Sequence, residues 1–177
     1  MKIADLDIDI INTAHTWDKK KRDFSLAIVI KTWGSSPRQV GSMMLIRDDG
    51  HVVGSVSGGC VEGAVIVSAK NILARSSAEI LDFGVADQDA WSVGLSCGGK
   101  ISVFICPRKK IEASLFERLH LANLNRDNFQ IECDFFCGEI FERRGSSPNE
   151  NCLTLILKPK PRLFIVGAVH ITQYLVP

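Results

Sequence analysis

Apolar and polar positions change period several times along this chain, and each change marks an element. Leu6, Ile10, Ala14 and Trp17 recur at helical spacing, with Asp5, Asp7 and Asp9 at the front and Lys19-Lys20-Lys21-Arg22 at the back. Acids in front and bases at the back suit the helix dipole, so the spacing predicts an opening amphipathic helix with a solvated basic end. Leu26-Ala-Ile-Val-Ile30 is an unbroken β-rich run that ends at Thr32-Trp33-Gly34, and it reads as a buried strand. Residues 43–47 and 51–53 flank Asp48-Asp49-Gly50, which predicts a hairpin. After a glycine-rich loop from Gly54 to Cys60, the positions Val61, Val65, Ala69, Ile72 and Leu73 mark a second helix. Residues 80–83 and 101–106 read as further strands, and Pro107 closes the unit. Leu115, Leu119 and Leu121 suggest a third helix. Strands are expected at 131–136, 140–142 and 153–157, with a loop at 143–151.

The last residues change character. Pro161-Arg-Leu-Phe-Ile-Val-Gly-Ala-Val-His170 has the pattern of a first Rossmann strand entering its phosphate turn. At Gly167-Ala168-Val169 a side chain stands where a second glycine lets the backbone approach a pyrophosphate. The acidic residue expected about 20 positions later has no chain to sit in, so NAD(P) binding is not expected. The fold class is therefore α/β: a mixed-sheet N-terminal domain over 1–107, a connecting helix and strands over 108–160, and over 161–177 the first strand and turn of an incomplete Rossmann-like domain.

Composition narrows the function. The 177 residues include 21 Lys and Arg against 20 Asp and Glu, a net charge of +1. That balance gives no electrostatic reason to bind nucleic acid or an anionic membrane. The longest apolar runs fall far short of the roughly 20 residues a membrane span needs, and the acidic start lacks a secretory pattern. A cytoplasmic, reducing location is expected, in which the six cysteines are thiols.

Three constellations carry candidate chemistry. In Gly34-Ser-Ser-Pro-Arg38, the Arg38 guanidinium could grip an anion, although the same residues make ordinary turns. In Gly54-Ser-Val-Ser-Gly-Gly-Cys-Val-Glu-Gly63, paired glycines Gly58 and Gly59 free the backbone, and the helix that follows aims its first N–H groups at the loop. Cys60 at that helix start is placed to be a stabilised thiolate, with Ser57 beside it, and Glu62 could move a proton or complement the dipole. In Gly94-Leu-Ser-Cys-Gly-Gly-Lys100, Cys97 again precedes two glycines, Gly98 and Gly99. Paired thiolates at Cys60 and Cys97 would suit a soft metal such as molybdenum, or a transferable sulfur. Cys106 reads as core, Cys133 and Cys137 as one strand face, Cys152 as a loop residue and His15 as a surface residue; none completes a zinc site.

Taken in order, Thr32-Trp-Gly-Ser-Ser-Pro-Arg38, Gly41-Ser-Met-Met44, Asp49-Gly50, Val53 to Gly63 and Gly94 to Gly99 resemble the XdhC/CoxI family of molybdenum hydroxylase accessory proteins. The resemblance spans about Phe24 to Pro107 and continues weakly at Pro161 to Gly167. It implies an accessory chaperone that binds molybdenum cofactor (molybdopterin) as cargo and assists its sulfuration and insertion into xanthine dehydrogenase or a related hydroxylase. It also implies a cysteine desulfurase as partner and a homodimer. Carried over by residue, Cys60 and Cys97 become cofactor, molybdenum or sulfur contacts; Gly58, Gly59, Gly98 and Gly99 shape their loops; Ser57, Arg38 and Glu62 complete the binding set. Two alternatives stay open: a thiol or persulfide-transfer enzyme using Cys60 and Cys97, and a non-functional truncated remnant.

Overall fold

The computed structural model describes residues 2–5, 7–34, 36, 38–84, 99–145, 151–167, 170 and 172–175. Two sheets organise them. The larger has five antiparallel strands in the order β4-β3-β2-β6-β5, built from β2 (Phe24–Trp33), β3 (Met43–Arg47), β4 (Val52–Gly54), β5 (Glu79–Phe83) and β6 (Lys100–Pro107). The smaller has the order β1-β9-β7-β8, from β1 (Lys2–Asp5), β7 (Phe129–Asp134), β8 (Glu139–Glu142) and β9 (Cys152–Lys158). The expectation of a mixed sheet within 1–107 is corrected: that sheet is antiparallel throughout, and β1 against β9 is the parallel pair.

Strand β2 explains the layering. Its run is buried on both faces, and its side chains alternate between two cores. Leu26 and Ile28 point into a cluster with Ile10, Ala14, Trp17, Leu115, Phe116, Ile131 and Leu155. Ala27 and Val29 point into a second cluster with Val61, Val65, Ala69 and Ile72. The first core lies among helix α1 (Ile8–Lys19), helix α3 (Leu115–Asn125) and the small sheet; the second lies under helix α2 (Glu62–Arg75). Period-two alternation with both faces apolar is what a strand between two layers requires.

The three helices fall where their spacing predicts. Asp7 caps α1, its carboxylate accepting from the Asp9 amide at 3.2 Å. The basic run begins in the last turn at Lys19 and continues past it, with Lys20 as C-cap and Lys21 at φ 52°. The hairpin at 48–50 also forms, with Gly50 at φ 91°.

Strand β7 lies two residues earlier than predicted, over Phe129–Asp134 in place of 131–136. It ends at Asp134 because that carboxylate accepts from the amides of Phe136 at 2.8 Å and Cys137 at 3.0 Å, which turns the chain. Cys133 is thus buried and Cys137 exposed, not two residues of one strand face. Cys152 opens β9 instead of sitting in a loop. His15 is half-buried and stacks on His120 with ring centroids 4.4 Å apart.

The first strand expected of a Rossmann-like unit is not formed. Residues 161–166 form no strand, and Leu163 and Phe164 are 77% and 81% exposed. A strand needs a neighbour to share its ladder, and among the described residues nothing pairs with this segment. A single turn of helix, α4 (Thr172–Leu175), follows. No helix among the described residues is long and apolar enough to cross a membrane.

Candidate functional site

Sheet register gathers the motif loops. β2 ends at Trp33 opposite Lys100, where β6 begins, and β4 ends at Gly54 opposite Met44, near the beginning of β3. Antiparallel pairing therefore places the loop after β2, the loop after β4 and the entry to β6 at one end of the sheet. Two contacts tie them together. The Arg38 Nε donates to the Ser55 carbonyl at 3.2 Å, joining the first and second motifs. A Cβ on Gly34 would lie 3.5 Å from the Gly99 Cα, so the first and third motifs abut through backbone. Cys97 and Gly98 lie outside the described residues.

The second loop is held by its own side chains. Glu62, the first residue of α2, folds its carboxylate back over the loop. Its oxygens accept from the amides of Val56 at 3.2 Å, Ser57 at 2.8 Å, Gly58 at 3.0 Å and Gly59 at 2.8 Å. The Ser55 hydroxyl donates to the same carboxylate at 2.7 Å, and the Ser57 hydroxyl makes a further short bond to it. Ser57 Oγ in turn accepts from the amides of Cys60 and Val61, both at 3.0 Å. Gly58 and Gly59 sit at φ 85° and 122°, a backbone region side chains rarely adopt, and this turns their amides inward.

Every backbone amide from Val56 to Val61 therefore has a partner inside the loop. In this conformation the loop amides are not open to an external phosphate, because a carboxylate of the chain already occupies their focus. Burial pushes the Glu62 carboxyl upward, but the hydrogen bonds from Ser57, Ser55 and the loop amides together outweigh it. The group is held well below the usual carboxylate range. Such a carboxylate is a poor proton acceptor.

The thiols divide by environment. Cys60 is exposed at the lip of the loop, two residues before the first helical residue. Cys106 and Cys133 are buried; burial pushes the Cys106 thiol up to about 12 and raises that of Cys133 as well. Neither belongs to the loop end of the sheet.

Sequence reasoning missed Ser55 and Gly54. Ser55 braces Glu62 with its hydroxyl, Gly58 through that same oxygen at 2.9 Å, and Arg38 through its carbonyl. A Cβ on Gly54, at φ 87°, would lie 2.4 Å from Ile10 Cδ1 and 2.5 Å from the Met43 carbonyl oxygen, so only glycine fits beneath α1. The glycine's presence signalled a special position. Nothing in the spacing says which helix approaches it.

Glycine-bearing loops gathered at one end of a rigid sheet, with an exposed thiol on one of them, are the kind of arrangement from which binding sites are built. Residues 17–84, which hold the first two motifs, match the model described as the XdhC and CoxI family. Over that stretch the chain carries the signature of that family. Three curated proteins are similar to parts of this chain. The protein named YqeB of Escherichia coli K12 is 34% identical over 98 residues, covering 55% of this chain and 18% of its own length. The molybdenum cofactor insertion chaperone PaoD of the same bacterium is 32% identical over 79 residues, 44% of this chain and 24% of its own length. A protein of Bacillus subtilis 168, named as a probable component of xanthine dehydrogenase, is 30% identical over 80 residues, again 44% and 24%. The matched regions thus span between 18% and 24% of these relatives. Among solved structures, one described as a xanthine dehydrogenase from Bacillus halodurans superposes with a TM-score of 0.65 at 22% identity, covering 85% of this chain and 53% of that one. At that identity the likeness is one of fold.

Proposed function

We propose that this chain is an accessory chaperone that holds molybdenum cofactor as cargo and assists its sulfuration and insertion into a molybdenum hydroxylase such as xanthine dehydrogenase. The observation that supports this most is the meeting of the family-like loops at one end of the five-stranded sheet, with Cys60 exposed on the second of them. A thiolate suits both molybdenum and a transferable sulfur. In this reading Cys60 and Cys97 contact the cargo or its sulfur, Gly58, Gly59, Gly98 and Gly99 let it approach, and Arg38 meets the pterin phosphate. The chain acts in the cytoplasm as a carrier, receives sulfur through a cysteine desulfurase, and works as a homodimer.

The test is binding of molybdopterin and molybdenum by the purified protein, with Cys60→Ala and Cys97→Ala alongside. Stoichiometric binding by the wild type, weakened about tenfold or more in either variant, is expected if a single thiolate contact is lost. A folded wild type that binds neither, yet takes up persulfide sulfur on Cys60 without pterin, would replace the chaperone with a thiol-transfer protein.

A further inference from the structure

The loop that presents Cys60 contains an anion site that the chain fills itself. Four consecutive amides, Val56 to Gly59, converge on the two oxygens of Glu62. Two of them come from glycines at positive φ, the geometry in which successive N–H groups form a concave nest for an anion. In phosphate-binding loops an external ligand fills such a nest. Here the filler is covalently attached and sits at the start of the helix whose positive end favours it. Ser57 extends the arrangement. Its buried hydroxyl bonds to the carboxylate while accepting from the amides of Cys60 and Val61. One hydroxyl therefore separates the carboxylate from the backbone of the exposed cysteine.

We infer that Glu62 and Ser57 are positioning residues: the Glu62 carboxylate is a built-in anion that fixes the glycine loop, and through Ser57 it sets where Cys60 is presented. For cargo handling this rests on the function proposed above; the anchoring itself is independent of it. One consequence is specific. A cargo phosphate does not enter this nest while Glu62 holds it, which leaves Arg38, bonded to the neighbouring Ser55 carbonyl, as a cationic group beside the loop for a phosphate.

Amide hydrogen exchange read residue by residue by NMR tests the anchoring without cargo. In Glu62→Ala the amides of residues 56–59 should exchange about tenfold faster or more, the change expected from losing a charge-assisted hydrogen bond. Sodium formate, whose carboxylate fits the emptied nest, should restore protection where sodium chloride at equal ionic strength does not. Ser57→Ala should instead release chiefly Cys60 and Val61. If Glu62→Ala does not fold, Glu62→Gln and Ser57→Ala carry the same comparison. Wild-type protection in Glu62→Ala or Glu62→Gln, or equal effects of formate and chloride, overturns the anchoring. Molybdopterin affinity is the second readout: it should fall about tenfold in Glu62→Ala and recover in formate. Undiminished affinity despite faster exchange removes the role in cargo positioning. If the wild type itself binds no molybdopterin while the exchange pattern appears, the chaperone reading falls and the anchoring stands.

Discussion

Two turns in this chain send the same signal. At Gly58-Gly59 and at Gly167, a glycine follows an apolar segment and a helix comes after, the pattern of a phosphate-binding turn. Their surroundings differ completely. The first rises from a paired strand, β4, beneath which Ile10 and Met43 pack so closely that Gly54 has no room for a side chain. The second follows a segment in which Leu163, Phe164 and Val166 are 77%, 81% and 99% exposed. Glycine supplies freedom, and only a scaffold converts freedom into geometry. Even where the scaffold exists, the amides must be unspent before an external anion can use them, and at residues 56–59 they are spent on Glu62.

The sharpest way to break this contrast is at Gly54. Gly54→Val adds a branched side chain at φ 87° against Ile10 and the Met43 carbonyl, and should destabilise the protein by about 3 kcal/mol or more in urea unfolding. A loss under about 1 kcal/mol would mean the loop end tolerates far more than its packing implies. Next in size is the carboxylate. Glu62→Gln should cost about 2 kcal/mol at pH 7, where charge-assisted bonds to the loop are lost. Because folding lowers the Glu62 pKa from an ordinary value of 4.5, its contribution is fully present above about pH 4.5 and fades as pH falls toward the lower folded value. The stability gap between wild type and Glu62→Gln should therefore narrow as pH falls from about 5 to about 3, as followed by thermal unfolding. A constant gap would place the stabilisation elsewhere. The smallest effect belongs to the other turn: Phe164→Ser should change stability by less than about 0.5 kcal/mol, since that ring is 81% exposed.

The difference between these regions also explains what could be read in advance. Helices α1 and α2 follow from period alone, because Ile10, Ala14 and Trp17, or Val65, Ala69 and Ile72, bury one stripe, whereas in α3 Leu121, counted in the pattern, is exposed and Phe116 and Ala122 complete the buried stripe. Strand β2 is legible as a run, yet a run buried on both faces does not tell how many sheets it serves. β1 is hidden because its pairing with β9 is decided by residues at the far end of the chain. At the site, the residue types were legible and their wiring was not. Glu62 sits next to the loop in sequence, so its charge reads as a helix-dipole complement. That its carboxylate turns back to collect four amides depends on the positive φ of Gly58 and Gly59, which composition alone does not determine. Ser55 went unnoticed for the same reason: a hydroxyl has no spacing rule for a partner seven residues on.

The parallel pairing of β1 with β9 sets a timetable for synthesis. Lys2 lies opposite Leu155 and Asp5 opposite Lys158, so the opening strand must wait for a partner made roughly 150 residues later. At ribosomal rates of about 5–20 residues per second, that wait is on the order of 8 to 30 s. Strands β2 to β6 are all made within that interval, so the sheet bearing the cysteine loop can assemble first on the emerging chain. The pairing of β1 with β9 follows later than that sheet, and such distant contacts form slowly. Until then β1 is a short unpaired segment of four residues, and an edge so short is a poor template for neighbouring nascent chains.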